Sequence, residues 1–186
     1  FCVLSLSHAE AELEMGNIAH FLVEQGALGV YTKRRERRDL RRAEAPELAP
    51  TLPSAGVPAP SPLAVREGAS TILTELGDGL STGLFIDQRD NRAKIAELSA
   101  GKQVLNLFSY TCSFSVAAAL GGATKVTSVD LSGRALERGK LNFAANGLDP
   151  ERHEFVQTDA VRYTRGAVKH GRRFDVIVLD PPSFGT

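Results

Sequence analysis

The sequence predicts an α/β chain whose C-terminal half is a doubly wound parallel sheet. Three observations predict it. Beyond Gly101, short strand-like runs alternate with helix-length segments in the order β-α-β-α-β-α-β. Glycines stand where the helices should stop, at Gly121-Gly122, Gly147 and Gly171. The runs are apolar, yet polar residues gather at their carboxyl ends, at Asn106, Asp130, Asp159 and Asp180. In open α/β sheets those ends are where ligands bind.

The elements follow in order. Apolar residues at Ala11, Met15, Ile18 and Leu22 make one face of a helix over residues 9–25, with Gly26 as its stop. Strand-like Val3–Leu6 and Leu28–Thr32 flank it, which suggests a small β-α-β unit. The run KRRERRDLRR, Lys33 to Arg42, has seven basic residues in ten. It reads either as a solvated surface segment or as a patch that contacts phosphates. Residues 46–62 hold six of the nine prolines, which disfavours helix and central strand and implies an extended linker or surface loop. From Leu63 to Asp87 the text is strand-like, broken by Gly68 and by Gly77-Asp78-Gly79, and Gly83–Ile86 reads as a second apolar strand. A β-hairpin or meander is therefore expected, followed by a helix over 89–99.

In the sheet itself the predicted strands are Gln103–Phe108, Lys125–Asp130, Glu154–Gln157 and a buried-type Phe174–Leu179. Helices Ser113–Leu120, Ser132–Asn146 and Ala160–His170 connect them, with Ser132 as a candidate N-cap. The expected organisation is a small α/β segment with the basic run over 1–45, a Pro-rich linker over 46–62, a hairpin and lead-in helix over 63–100, and the sheet over 101–186.

Charge and composition set limits. The 186 residues balance 22 Lys+Arg against 22 Asp+Glu, so a uniformly basic nucleic-acid-coating protein and an acidic disordered tail are both excluded. No apolar run approaches the length of a membrane span. Cys2 and Cys112 lie far apart and form neither a disulfide framework nor a zinc site, so no metal is expected and a cytoplasmic location is. The chain starts at Phe and stops shortly after its last strand-like run, and is read as a fragment.

The first strand-to-helix loop carries no glycine from Lys102 through Leu120. A dinucleotide site needs glycines there so that the backbone can approach a pyrophosphate. A nucleoside cofactor without phosphates tolerates such a loop, S-adenosylmethionine being the common example. Asp130, 24 residues after Asn106, is placed either to accept from both ribose hydroxyls or to cap the helix near Ser132. Asp159 is placed either to accept from an adenine amino group or to serve as an N-cap. Asp180-Pro181-Pro182-Ser183-Phe184 is the most specific signal: two prolines stiffen the chain beyond a strand, with an acid before them and an aromatic after them, suited to gripping a planar amino-bearing ring.

The stretches GLFIDQRDNR (83–92), VLNLFSYTCSFSVAAALGGA (104–123), VTSVDLSGRALERGKLNFAANG (126–147) and FDVIVLDPPSF (174–184) resemble class I S-adenosylmethionine-dependent methyltransferases. The nearest group is the bacterial enzymes that make 5-methylcytosine or 7-methylguanine in large-subunit ribosomal RNA. The resemblance implies a Rossmann-like methyltransferase sheet of which this chain supplies the first four strands. It implies S-adenosylmethionine as cofactor and RNA as partner. It assigns Asn106, Phe108, Ser109, Tyr110 and Thr111 to the cofactor loop, Asp130 to the ribose and Asp159 to the adenine, with Leu131 and Ala160 also binding the cofactor. Asp87, Gln88, Arg89 and Asn91 would line the methionine end, and Asp180, Pro181, Pro182 and Phe184 the catalytic pocket. Lys33, Arg34, Arg35, Arg37 and Arg38 would meet RNA phosphates.

The family usually has glycine where Cys112 stands, so a side chain there either is tolerated, being small, or crowds the methionine moiety and strains the loop. A nucleophilic role for Cys112 is a further reading, although the cytosine enzymes carry that cysteine in a later motif. A methyltransferase for a small molecule or protein, and a non-catalytic remnant that binds cofactor or RNA, remain the alternatives.

Overall fold

The computed structural model describes residues 1–6, 12–34, 50–79 and 81–182. Its chain packs as two units, one of Phe1–Leu63 with Thr74–Thr82, the other of Ala64–Leu73 with Gly83–Thr186. In the first, parallel strands β1 (Cys2–Leu6) and β2 (Gly29–Arg34) are joined by helix α1 (Glu12–Glu24), the expected β-α-β unit. Gly26, at φ 100°, ends the helix, and Ala27 N–H reaches back to Leu22 O. The buried face is Met15, Ala19 and, in part, Leu22 and Val23, not the stripe through Ile18, which is exposed. Ala19 is small enough to bring the helix close to Val30 and Ala55, and that turns the stripe. Within the proline-rich stretch, Ala55–Gly56 (β3) falls between Pro53 and Pro58 and adds antiparallel to β2 at the sheet edge.

The second unit opens with the two-stranded sheet β4 (Leu63–Glu67) and β5 (Ser70–Thr74), whose turn is at Gly68. The expected strand Gly83–Ile86 is absent. Gly83 has φ 113°, and its carbonyl accepts from the Thr111 hydroxyl, while the Phe85 carbonyl accepts from Arg92 Nη1. Side chains thus take the carbonyls that a ladder would use, and residues Ile86–Gln88 turn in a 3₁₀ helix into α2 (Arg89–Leu98).

The sheet that follows is built of β6 (Gln103–Leu107), β7 (Lys125–Asp130), β8 (Glu154–Gln157) and β9 (Val176–Leu179), all parallel, in the order β8-β7-β6-β9. Helices α3 (Ser113–Leu120), α4 (Gly133–Ala145) and α5 (Ala160–Lys169) make the crossovers. Ser132 Oγ accepts from Ala135 N–H as the cap of α4. Val104, Val126 and Ala118 form one apolar layer, and Leu105, Leu107, Val129 and Ala160 another. The strand expected at Phe174–Leu179 is shorter, and as the outer strand of this four-stranded sheet it is an apolar edge, with Ile177 (58%) and Leu179 (64%) exposed.

Two polar ties hold β4 and β5 to this unit. Arg92 is buried on α2 and forks onto Glu67, Nε to Oε1 at 2.7 Å and Nη2 to Oε2 at 2.6 Å. From α4, Asn142 Oδ1 accepts Leu73 N–H at 2.8 Å, and Asn146 Oδ1 accepts Thr71 N–H at 2.7 Å while its amide donates to Thr71 O. Removing one member of a buried ion pair strands the other. Arg92→Met is expected to lower the unfolding free energy in urea by about 3 kcal/mol. A loss below about 1 kcal/mol would show instead that the pair behaves like an exposed one.

Candidate active site

The chain lays down β6, β7 and β8 in one direction and then places β9 on the other side of β6. The strand order therefore reverses between β6 and β9, and a ligand crevice forms beyond the carboxyl ends at such a reversal. The loop after β6 borders it. Phe108, Tyr110 and Cys112 have φ of 57°, 48° and 63°, three left-handed residues alternating with Ser109 and Thr111. Side-chain and backbone bonds fix this zigzag. Ser109 N–H donates to Val129 O at 3.0 Å, Tyr110 N–H to Asp130 Oδ2 at 2.8 Å, and Cys112 N–H to Ser109 O at 2.8 Å. Asn142 Nδ2 donates to Thr111 O, again at 2.8 Å. The amides of Ser109, Tyr110 and Cys112 are thus engaged inside the protein, and a phosphate would find none of them pointing outward.

Asp130 ends β7. Its second oxygen, Oδ1, accepts from Ser132 N–H at 2.9 Å. Each oxygen retains a lone pair, so the carboxylate is oriented but not saturated. Leu131, next to it, is exposed. Asp159 follows β8 and caps α5, its Oδ1 accepting Arg162 N–H at 2.8 Å, which leaves Oδ2 of this exposed residue able to accept. Register puts Leu107 level with Val129 and Leu179, and Asp130 level with Gln157. The residues after these ends, Phe108–Thr111, Asp130, Leu131, Asp159 and Asp180, therefore share one rim. Pro181 and Pro182 follow Asp180 and are exposed. The Ile86–Gln88 turn adjoins the loop through the Phe85 and Tyr110 rings, 5.7 Å apart. It carries Asp87 and Gln88, with Arg89 and Asn91 in the first turn of α2, and Asn91 Nδ2 donates to Gln88 Oε1 at 2.6 Å.

Not every predicted site residue is on the rim. The Asn106 side chain is buried and donates to Ser115 Oγ at 2.9 Å, which is bonded in turn to Ser128 Oγ at 2.8 Å. It is a strut under the loop. Ala160 is buried among Leu105, Leu107 and Val129. Lys33 is corrected outright: it is 1% exposed and its ammonium donates to Gly79 O at 2.6 Å, so it is a core residue of the first unit and presents no charge to an RNA phosphate. Arg34 is half-buried. Arg35, Arg37, Arg38 and Phe184 lie outside the described residues. Asn142 and Gly83 escaped the sequence reading. The signal for Asn142 was an amide on the apolar stripe Ala135, Leu136, Gly139, Phe143. Gly83 is demanded by its φ of 113°, a conformation that side-chain-bearing residues rarely adopt and that only the surrounding fold sets.

The pattern of S-adenosylmethionine-dependent methyltransferases matches residues 54–186. The chain belongs to this family. The ribosomal RNA large subunit methyltransferase K of Neisseria meningitidis serogroup B is 50% identical over 120 residues, covering 64% of this chain and 34% of its own length. The ribosomal RNA large subunit methyltransferase I of Klebsiella pneumoniae is 42% identical over 145 residues, covering 78% and 36%. Among solved structures, a SAM-dependent methyltransferase of Streptococcus mutans superimposes with a TM-score of 0.84 at 37% identity, over 97% of this chain and 46% of that one. The chain spans about a third of the length of these curated relatives. Among the described residues no helix is long and apolar enough to cross a membrane, and no group of three His, Cys, Asp or Glu is placed to hold a metal ion.

In this methyltransferase chain Cys112 is wholly buried against Ile72, Val116, Leu136 and Phe143. Its sulfur lies over Gly139 of α4, where a Cβ would collide with it. The side chain thus packs into the core, while the left-handed backbone remains strained for a non-glycine residue. Burial pushes the thiol up to about 11, outweighing its hydrogen bonding with Ser128 and Ser109. At pH 8 only about one thiol in a thousand is then ionised, which argues against a nucleophilic Cys112. With a disulfide-forming aromatic reagent at pH 8, one thiol per native chain, Cys2, is expected to react, and the second only in urea. Rapid reaction of both would overturn this reading.

Proposed function

We propose that the protein transfers a methyl group from S-adenosylmethionine to a base of large-subunit ribosomal RNA. The observation that carries the cofactor half is the loop Phe108–Cys112, whose amides are spent internally beside an oriented Asp130 carboxylate. Such a rim suits a nucleoside without phosphates. A solved methyltransferase complexed with SAH, 36% identical with a TM-score of 0.84, supports the same cofactor. The substrate half is supported by relatives named as ribosomal RNA large subunit methyltransferases at 42–50% identity. An RNA substrate of this kind implies a cytoplasmic reaction.

The bound cofactor supplies a methyl group already activated on a sulfonium. What the chain's own residues add is position. The free lone pairs of Asp130 accept from the ribose hydroxyls, the second oxygen of Asp159 accepts from the adenine amino group, and Leu131 offers an apolar surface to the purine. Asp87, Gln88, Arg89 and Asn91, with Phe108 to Thr111, shape the methionine end. Asp180, Pro181, Pro182 and Phe184 hold the target base once it leaves its stack. The prolines lack N–H groups and leave their carbonyls to accept from the base.

Two measurements test this. Tritiated methyl from S-adenosylmethionine should appear in large-subunit ribosomal RNA that lacks its natural modifications, and not in bulk protein; label in protein or small molecules alone would end the RNA reading. Asp130→Ala should weaken SAH binding at least tenfold by calorimetry. Because Asp130 also braces the loop, Asp130→Asn is the companion: it keeps a carbonyl acceptor and should be folded, yet remain weaker than the parent. Unchanged affinity in both variants would remove Asp130 from the site.

A further inference from the structure

The segment 160–173 contains Arg162, Arg165, Lys169, Arg172, Arg173 and His170, and no Asp or Glu. In a chain of zero net charge it is a concentration of cations separate from the run at 33–42. It forms α5 and the turn after it, and Arg162, Arg165, Lys169 and His170 are exposed. β8, beside it, is the outer strand of its sheet. Between them lies a cavity of about 430 Å³ whose lining includes Gln157, Thr158, Arg162, Tyr163, Gly166 and His170. Of the nearby carboxylates, Glu154 is neutralised by Lys125 at 2.7 Å and Arg172 at 2.6 Å, while Asp159 gives one oxygen to the helix cap. Arg172 also lies over the rings of Tyr163 and Phe174, at 5.7 and 5.3 Å, which fixes one wall.

Gly166 is the second observation. It sits inside α5, where glycine is a poor helix former. No close neighbour demands it, since a Cβ there would meet nothing within 4 Å. Its effect is to leave the cavity open at mid-helix.

We infer that the β8–α5 edge is a surface for the RNA backbone. Arg162, Arg165 and Lys169 meet phosphates, and the cavity at Gly166 receives a nucleotide. The volume lies within the range of small-ligand sites, roughly 300–1,000 Å³. α5 begins at Asp159 on the rim, so RNA following this edge is led to the strand ends. The inference rests on the RNA reading above.

The test is binding of a fluorescent, unmodified transcript of large-subunit ribosomal RNA, measured between about 50 and 300 mM salt. Three proteins are compared: the parent, the triple variant R162Q/R165Q/K169Q, and Gly166→Leu. Arg172 is left intact because it holds Glu154. The triple variant should bind at least tenfold more weakly, with a log K against log salt slope shallower by about two. Gly166→Leu, which changes no charge, should bind at least threefold more weakly with an unchanged slope. Both should bind SAH within twofold of the parent, which reports an intact fold. If the parent binds no RNA, the RNA reading itself fails. If the parent binds and both variants match it, this surface is wrong while the RNA reading stands. If poly-glutamate rather than the transcript is bound, and the triple variant loses it, the edge serves an acidic protein and the inference is overturned.

Discussion

The Asp130 carboxylate ties the ends of two parallel strands together, and the rim depends on that tie. One oxygen holds Tyr110 N–H of the loop after β6, and the other holds Ser132 N–H at the start of α4. The loop needs such support. A left-handed conformation costs a non-glycine residue about 1–2 kcal/mol, and here three residues adopt it. A hydrogen bond to a charged group returns about 1.5–3 kcal/mol. The Asp130 bond to Tyr110 N–H, with Asn142 on the Thr111 carbonyl, offsets a large part of that strain. Strain of this kind persists only where the surroundings over-determine it, as they do here.

Beneath the loop lies a polar seam. Asn106, Ser115 and Ser128 are buried and bonded in sequence, joining β6, α3 and β7. A satisfied seam of this sort fixes relative position more sharply than apolar contacts, because any sliding leaves a buried group unpaired. Cys112 closes its upper end with a small, protonated side chain. The rim is therefore held from below by hydrogen bonds and from the side by Asp130.

Most of the sheet was legible in the sequence. The strand-helix alternation after Gly101, the cap at Ser132 and the stop at Gly147 all correspond to observed elements. What could not be read rests on partners distant in the chain. Gly83–Ile86 has strand composition, but its carbonyls belong to Thr111 and Arg92. Lys33 looked like the first residue of a basic run, yet β2 is buried throughout Gly29–Lys33 and the ammonium finds Gly79 O. Asp130 and Asp159 each allowed two readings: Asp159 does cap α5, whereas α4 is capped by Ser132 and Asp130 binds the N–H of that cap residue. The cations of α5 were divided by Tyr163, Gly166 and Val168, so no run drew the eye.

The two asparagines of α4 have a consequence of another kind. Residues four apart on a helix are about 6.0 Å apart along its axis. Residues two apart on a strand are about 6.6–6.8 Å apart. Asn142 and Asn146 therefore match Leu73 and Thr71, and their amides stand in for the peptide groups of a missing neighbour. An open β-edge is a template for adding foreign strands and so for aggregation. Here a helix seals that edge with side chains, and the hairpin stays soluble company for its own sheet rather than a seed for other chains.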